Sequence, residues 1–332
     1  MKAIAINAFG GPEVLQLQEM PKPVPGPGEV AIRVAYAGVN FAESMLRRGG
    51  HHTVHLPTIP GLEVSGHIAA LGKGVEGLRV GQPVAAFTRE GGYAEVAIAQ
   101  AALTFPLDTL SKSIDLATAA GFPTIVPTAH DLLVRVARLQ QGESVLIHAA
   151  AGGVGTLAGQ IARLLGAGRV IGTVSTQEKA RYAAQFGYDT VLLRDNFVQQ
   201  VQELTQGRGV DIVLDSIGEP VRSQSLAVLA PLGRLVIFGG ANEDVKKALD
   251  LPKMPGNMLA ENKAIMGYSI GILGSSAPAL LQETAARTLE WLAQERIRID
   301  ITEILPLKEV ATAHARLESR ASTGKYILRV NG

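Results

Sequence analysis

The stretch SVLIHAAAGGVGTLAGQIARLLGAG, residues 144–168, decides the fold class. An apolar strand pattern, SVLIHAA, runs directly into a glycine turn and then into a helix with one apolar face. Gly152 and Gly153 leave room for a pyrophosphate to approach the backbone, and Gly155 lets the helix pack closely on the strand. The helix N-terminus, reached through Val154, offers unbonded N–H groups and a positive dipole end to phosphates. The spacing is Ala149-x-x-Gly152-x-x-Gly155, with Ala150 where the usual fingerprint has its first glycine. A purely structural strand-to-helix turn uses glycine too, so the surrounding pattern has to decide.

That pattern is an alternation. RVIGTVS reads as a strand, QEKARYAAQFG as a helix, TVLLR as a strand and NFVQQVQELTQG as a helix. VDIVLDSI is a strand, VRSQSLAVLAPLG a helix, RLVIFGG a strand, and KAIMGYSI an edge strand after a polar, proline-containing loop. Buried apolar strands alternating with helices predict a parallel sheet covered on both faces. The second strand chooses the dinucleotide. An NAD site wants an acid at its end, about 20 residues past the glycines. Here Val174 is followed by Ser175 and Thr176, with Lys179 and Arg181 beyond. An acid would repel a 2′-phosphate, and this set welcomes one, so NADP(H) is the expected cofactor. Taken alone, Lys179 or Arg181 reads equally well as a solvated helix face.

Upstream the chain reads as β. KAIAINAF, VLQLQEM, EVAIRVAYAGVN, VSGHIAAL, QPVAAFT and YAEVAIA are short apolar or alternating runs separated by turns such as PVPGPGE and REGGY. A twisted antiparallel or barrel-like domain follows. From Leu116 the spacing turns helical, broken by Pro123 and Pro127. The C-terminal run begins with the helix SAPALLQETAARTLEWLAQERI and closes with strand, helix and strand. The 332 residues are 47% hydrophobic and 18% charged, enough for two domains with large cores. A net charge of +1 steers the chain toward neither nucleic acid nor anionic membrane. With no cysteine, disulfides, thiolate nucleophiles and Cys-ligated zinc are excluded. No signal-peptide pattern or membrane-length apolar run is visible, so the expected location is the cytoplasm.

The order GGPEVLQL, PGPGEVAIRVAYAGVNFAE, PTIPGLEVSGHIAALGKGVEGLRVGQPV, GGYAEVA, VLIHAAAGGVG and ARLESRASTGKYILRV resembles the medium-chain dehydrogenase/reductase superfamily over nearly the whole chain. Within it the chain resembles the zinc-free quinone oxidoreductase branch, the zeta-crystallin type. The resemblance implies an α/β fold: a Rossmann doubly wound parallel sheet over residues 122–270, plus a β-rich GroES-like catalytic domain from 1–121 with 271–332. It also implies a substrate cleft between the two and a homodimer. Zinc alcohol dehydrogenases of the superfamily read Gly-His-Glu where this chain has Gly61-Leu62-Glu63. Their cysteine ligands fall at Asn40 and near Thr124. A catalytic zinc needs three protein ligands; Leu62 cannot ligate, and Asn40 and Thr124 are poor zinc ligands, so no metal is expected. Glu63 then reads as a structural acid paired with a basic group. His51, His52 and His55 read as a solvated loop cluster, with His51 a candidate for the substrate mouth; His148 reads as a buried hydrogen-bonded histidine.

Without zinc, the acceptor must already be polarised. The resemblance therefore implies a reductase of quinones or α,β-unsaturated carbonyls. The same chemistry on an enoyl thioester is a second reading, and a non-catalytic NADPH-binding sensor or structural protein is a third. The resemblance assigns the catalytic segment to Asn40, Glu43, Met45 and Thr128. Asn40 is expected either to donate to a carbonyl oxygen or to bind the ribose, although a strand-ending turn residue is a rival reading. Met45 stands where the family commonly has a tyrosine, and it cannot donate a proton. Thr128 is expected at the nicotinamide carboxamide. The remaining implied cofactor contacts are Phe41, Arg194 (beside the 2′-phosphate), Ile217 in the 216–218 turn, Phe238, Gly239, Gly240, Tyr268, Ser269, Ile270 and Arg320. Asp215 is expected to order the turn after its strand.

Overall fold

The computed structural model describes residues 1–50, 55–243 and 261–331 of the chain. Two compact units emerge: Met1–Pro127 with Ile270–Gly332, and Thr128–Ser269.

In the first unit, β1 (Lys2–Ala5) and β2 (Gln16–Glu19) pair as a small antiparallel sheet. The main sheet is built around β3 (Glu29–Val39), with β4 (Glu63–Leu71), β5 (Pro83–Phe87), β6 (Val96–Gln100) and β7 (Thr104–Pro106). β3 pairs antiparallel with both β4 and β6. Its Val30, Ile32 and Val34 are buried with Val64, Ile68 and Val84 of the neighbouring strands. Each such aliphatic side chain contributes roughly 1.5–3 kcal/mol on burial. The three residues of β7 are too short to stand out as an alternating run, and the sequence pattern did not mark them.

The second unit holds β8 (Ser144–Ile147), β9 (Arg169–Val174), β10 (Thr190–Leu193), β11 (Val210–Asp215), β12 (Leu229–Ile237) and β13 (Ala264–Gly267). They form one sheet in the order β10-β9-β8-β11-β12-β13, every neighbour parallel. Val145, Leu146 and Ile147 are completely buried, as a central strand covered on both faces requires. Because all strands run the same way, their carboxyl ends line one edge. The strand order reverses between β8 and β11, which makes that point the switch where open α/β sheets take ligands.

The chain then returns to the first unit. The helix Pro278–Ala293 leads to β14 (Ile301–Pro306), the helix Val310–Glu318 and β15 (Lys325–Arg329). β15 lies antiparallel to β3, with Tyr326 opposite Val39.

Two local expectations are corrected. The run VRSQSLAVLAPLG is not one helix: the helix ends at Ala227, and β12 begins at Leu229. Leu229 and Ala230 are buried in the sheet, so pairing with β11 overrides a helix-compatible spacing. Nor does Pro127 break the linking helix, which runs from Phe122 to Asp131 with that proline inside. Pro123 sits in the first turn, where no helical N–H bond is lost. Among the described residues, no helix is long and apolar enough to cross a membrane.

Candidate active site

The glycine turn lies at the carboxyl end of β8. Gly152 caps the helix Gly153–Leu164 in extended conformation, and Gly152, Gly153 and Val154 are only half-buried. The first amides of that helix have no intrahelical acceptor. A Cβ on Gly155 would lie 2.4 Å from the Ala149 carbonyl oxygen and 2.8 Å from the Ala150 Cα, so only glycine lets helix and strand meet. Tyr188 Oη donates to the Gly155 carbonyl at 2.6 Å and fixes the helix from its other side. The left-handed residue of the turn is Ala149, at φ 53°, and not Ala150. Alanine is therefore accommodated at the position where a first glycine is usual, while the strain falls one residue earlier.

The neighbouring strand ends follow the same edge. Ser175 and Thr176 come just after β9 and are exposed; Thr176 caps the next helix through its hydroxyl, which accepts from the Lys179 amide at 3.3 Å. Arg194 follows β10. Partial burial lowers the Lys179 pKa, and the positive charge of Arg194 lowers it further. Two cations have thus been brought close enough to repel each other, an arrangement that an anion between them would relieve. Arg181 is exposed. After β11, Asp215 Oδ1 accepts from the amides of Ile217 (2.8 Å) and Gly218 (3.3 Å), so it orders the turn as expected. Its other oxygen takes Arg222 Nε at 3.0 Å. Arg222 is fully buried, and it also reaches Glu243 and the Gly239 carbonyl. One guanidinium therefore laces the turn after β11 to the Phe238–Gly240 turn after β12.

After β13, Tyr268 donates to Asp131 Oδ2 at 3.3 Å. Burial first, then the Asp131 charge, raises the Tyr268 pKa. Asp131 is completely buried and also holds His130 (2.9 Å) and Arg135 (3.2 Å). Ser269 is exposed, and Ile270 begins the next helix in the other unit.

His148 is buried as expected. Its Nε2 meets Ser225 Oγ at 2.8 Å and its Nδ1 meets Thr173 Oγ1 at 2.7 Å. Ser225 spends its own proton on the Val221 carbonyl, so Nε2 carries the imidazole hydrogen and Nδ1 accepts from Thr173. Burial, then the Arg194 charge, pushes the His148 pKa down to about 3. The unfolded chain takes up a proton near 6.5 that the folded state refuses. This contribution is intact above 6.5 and is lost as pH falls toward 3, at about 1.4 kcal/mol per pH unit. His148→Gln is expected to make the acid limb of stability shallower by about that slope. Urea unfolding at stepped pH reads it; an unchanged slope refutes it.

The first unit holds the remaining expected residues. Asn40 follows β3 and caps the helix Phe41–Arg47, which carries Glu43 and the half-buried Met45. Glu43 Oε2 accepts from the Asn40 amide at 2.8 Å; its Oε1 accepts from the Leu62 amide at 3.1 Å and from Asn40 Nδ2 at 3.2 Å. Asn40 Nδ2 also donates to Glu63 Oε1 at 2.9 Å. Glu63 Oε2 accepts from the Thr124 amide at 2.8 Å, placing a carboxylate at the start of the linking helix, where the helix dipole favours it. Lys325 Nζ lies 2.5 Å from both Glu63 Oε1 and Asn40 Oδ1. Glu43 and Glu63 are completely buried and Lys325 nearly so. Burial, with help from the Glu63 charge, lifts Glu43 to about 7 against the pull of Lys325.

Asn40, Leu62 and Thr124, spread through the sequence, thus gather around two carboxylates and one ammonium. The basic partner expected for Glu63 is Lys325. Among the described residues, no group of three or more His, Cys, Asp or Glu side chains is placed to hold a metal ion. Arg320 stands exposed in the turn after the last helix at φ 58°, and His55 is exposed; His51 and His52 lie outside the described residues. Sequence reasoning did not single out Lys325, Asp131 or Arg222. Each had a faint signal, a charge set in or beside an apolar run: GKYILRV, TAHDLLV and EPVRSQ.

The model of the alcohol dehydrogenase GroES-like domain matches residues 26–109, and that of the zinc-binding dehydrogenases matches residues 153–292. A quinone oxidoreductase of Pseudomonas aeruginosa is 36% identical, over 98% of this chain and 99% of its own. The human synaptic vesicle membrane protein VAT-1 homolog-like is 32% identical, over 99% of this chain and 81% of its own. The structure of Escherichia coli quinone oxidoreductase complexed with NADPH superposes with a TM-score of 0.88 at 30% identity, covering 99% of this chain and all of that one.

Proposed function

Since the chain belongs to the zinc-free quinone oxidoreductase branch of the medium-chain dehydrogenase/reductase superfamily, we propose that it is an NADPH-dependent reductase of quinones or α,β-unsaturated carbonyls. One observation carries the choice of acceptor. Where zinc relatives place metal ligands, this chain has Asn40, Leu62 and Thr124 around a Glu63–Lys325 pair. That set offers no ligand triad, so the substrate has to bring its own polarisation.

The residues fit the cofactor. The half-buried glycine turn and the helix behind it suit a pyrophosphate. Lys179 and Arg194, with Ser175 and Thr176, suit a 2′-phosphate, and no acid stands at the end of β9 to oppose it. When bound, the nicotinamide supplies a hydride. The chain's own tasks are orientation and exclusion of water. In this reading Ile217, Phe238, Gly239 and Gly240 line the dinucleotide along the carboxyl edge of the sheet, on turns held by Arg222. Thr128 orients the carboxamide, and Asn40, Phe41 and Met45 face the acceptor. Met45 has no proton to give, so the proton that completes reduction comes from elsewhere. Among the described residues β13 ends the sheet, and its outer edge suits the homodimer implied by the resemblance.

Purified protein with NADPH and a panel of 1,4-benzoquinone, 1,2-naphthoquinone, 2-alkenals and crotonyl-CoA tests the reading. Loss of reduced-nicotinamide absorbance with a quinone or an enal, well above the protein-free rate, is expected. Tight NADPH binding with no oxidation across the panel would sink it, and turnover of crotonyl-CoA alone would move it to enoyl thioesters.

A further inference from the structure

The carboxamide of Asn40 has no hydrogen left to give. Its two Nδ2 hydrogens go to Glu43 Oε1 (3.2 Å) and Glu63 Oε1 (2.9 Å), and Oδ1 accepts from Lys325 Nζ (2.5 Å). A lysine ammonium only donates and ionised carboxylates only accept, so the amide cannot be turned around. An acceptor-facing asparagine bound in this way offers nothing to a carbonyl oxygen.

We propose that Glu43 is the positioning residue that controls Asn40: a proton on Glu43 releases one Asn40 N–H, which then donates to the oxygen of the acceptor. The proposal rests on the reading of Asn40 given above. The cluster itself motivates it. Two fully buried carboxylates share a single ammonium, which leaves one negative charge unbalanced. Buried like charges in contact with one amide do not both ionise readily. The ammonium lies against Glu63, so the extra proton belongs on Glu43. Burial, reinforced by Glu63, brings Glu43 to about 7.

The consequence for Asn40 follows from lone pairs. Glu43 Oε1 now accepts two N–H groups, one from the Leu62 backbone and one from Asn40 Nδ2. The proton that releases Asn40 sits on Oε1: as a hydroxyl oxygen it has room for only one of the two, whereas a proton on Oε2 would leave both bonds in place. Leu62 immediately precedes β4 and its carbonyl is held by the Thr88 amide at 2.8 Å, so the side-chain bond, the longest of the three to Glu43, gives way. The titratable and charged groups facing Glu43 are Glu63 on β4, Lys325 on β15 and Tyr93 ahead of β6. Tyr93 Oη is 3.3 Å from His314 Nε2 in the last helix, and burial pushes that histidine down to about 3, so it stays neutral while Glu43 titrates.

Two measurements test this. The first needs neither cofactor nor acceptor. Infrared titration of the protein, with 13C-labelled glutamate, is expected to show a buried protonated carboxyl that disappears as pH rises through about 7 and is missing in Glu43→Gln. The second is kcat/KM for a quinone. It should be flat below about pH 7 and fall about tenfold per pH unit above it, while NADPH affinity stays constant. Glu43→Gln should remove the inflection. Glu63→Gln, which deletes the neighbouring like charge, should move it to lower pH and serves if Glu43→Gln does not fold. A carboxyl band that survives in Glu43→Gln, no band at all, or a flat pH profile in protein that does turn over a quinone overturns the proposal. Protein that turns over no acceptor overturns the functional reading instead, and the infrared titration still decides on Glu43.

Discussion

Arg194→Ala is expected to weaken NADPH binding by roughly 10- to 150-fold, with NADH affinity changed by no more than about twofold. The range is the 1.5–3 kcal/mol of a hydrogen bond to a charged group. The guanidinium stands at the end of β10 beside Lys179, whose pKa falls through burial and the charge of Arg194. Two cations of like charge gain most from a doubly charged phosphate, and NADH has no 2′-phosphate to offer. On the proposed cofactor reading, removing one cation should cost binding to the 2′-phosphate and leave the glycine turn untouched. Calorimetric titration with both dinucleotides gives the answer. An equal loss for NADH and NADPH would mean that Arg194 supports the fold of the site rather than the phosphate, and the NADPH assignment would lose its main physical ground.

Lys325→Met is expected to destabilise the first unit by about 3–5 kcal/mol, the usual loss when one member of a buried ion pair is removed. The melting temperature should drop on the order of 10 °C. Methionine fills much of the volume of the lysine stem, so the loss comes from charge. Glu63 and Glu43 would be left as two buried acids with no cation, although Glu63 would still cap the linking helix through the Thr124 amide. Adding Glu63→Gln should recover part of the loss, because it removes a stranded charge; the two changes share a network and will not add. Hydrogen exchange of β3, β4 and β15 against β8–β13 separates this effect from one on the second unit. A double variant less stable than the sum of the two singles would refute the charge argument.

Much of the second unit was legible because its signals are local. The strand, glycine turn and helix of residues 144–168 are contiguous, and each glycine has a steric reason visible in the sequence. The missing acid at Ser175 and Thr176 is a single-site observation of the same kind. The β12 boundary was not legible. VRSQSLAVLAPLG has helix-compatible spacing, and only the place of Leu229 beside β11 turns its second half into a strand. Arg222 and Asp131 escaped for a related reason. A charge among apolar residues reads as a surface residue until its buried partners are known, and those partners lie on other elements.

The sequence alone carried the class of fold, the glycine turn and the missing acid after β9, because each depends on residue type at short spacing; the departures from the zinc ligands at Asn40, Leu62 and Thr124 were legible only through the family resemblance. It named Asn40, Glu43, Leu62, Glu63 and Thr124 without saying what joins them. Only the tertiary structure decided that. β15 pairs antiparallel with β3, setting Tyr326 opposite Val39, and so Lys325 meets Asn40 from 285 positions away. Strand pairing at that separation leaves no local periodicity to read. The buried ammonium it delivers is the basic partner expected for Glu63, whose other oxygen holds the linking helix through the Thr124 amide, and it leaves Glu43 as the carboxylate without a cation of its own.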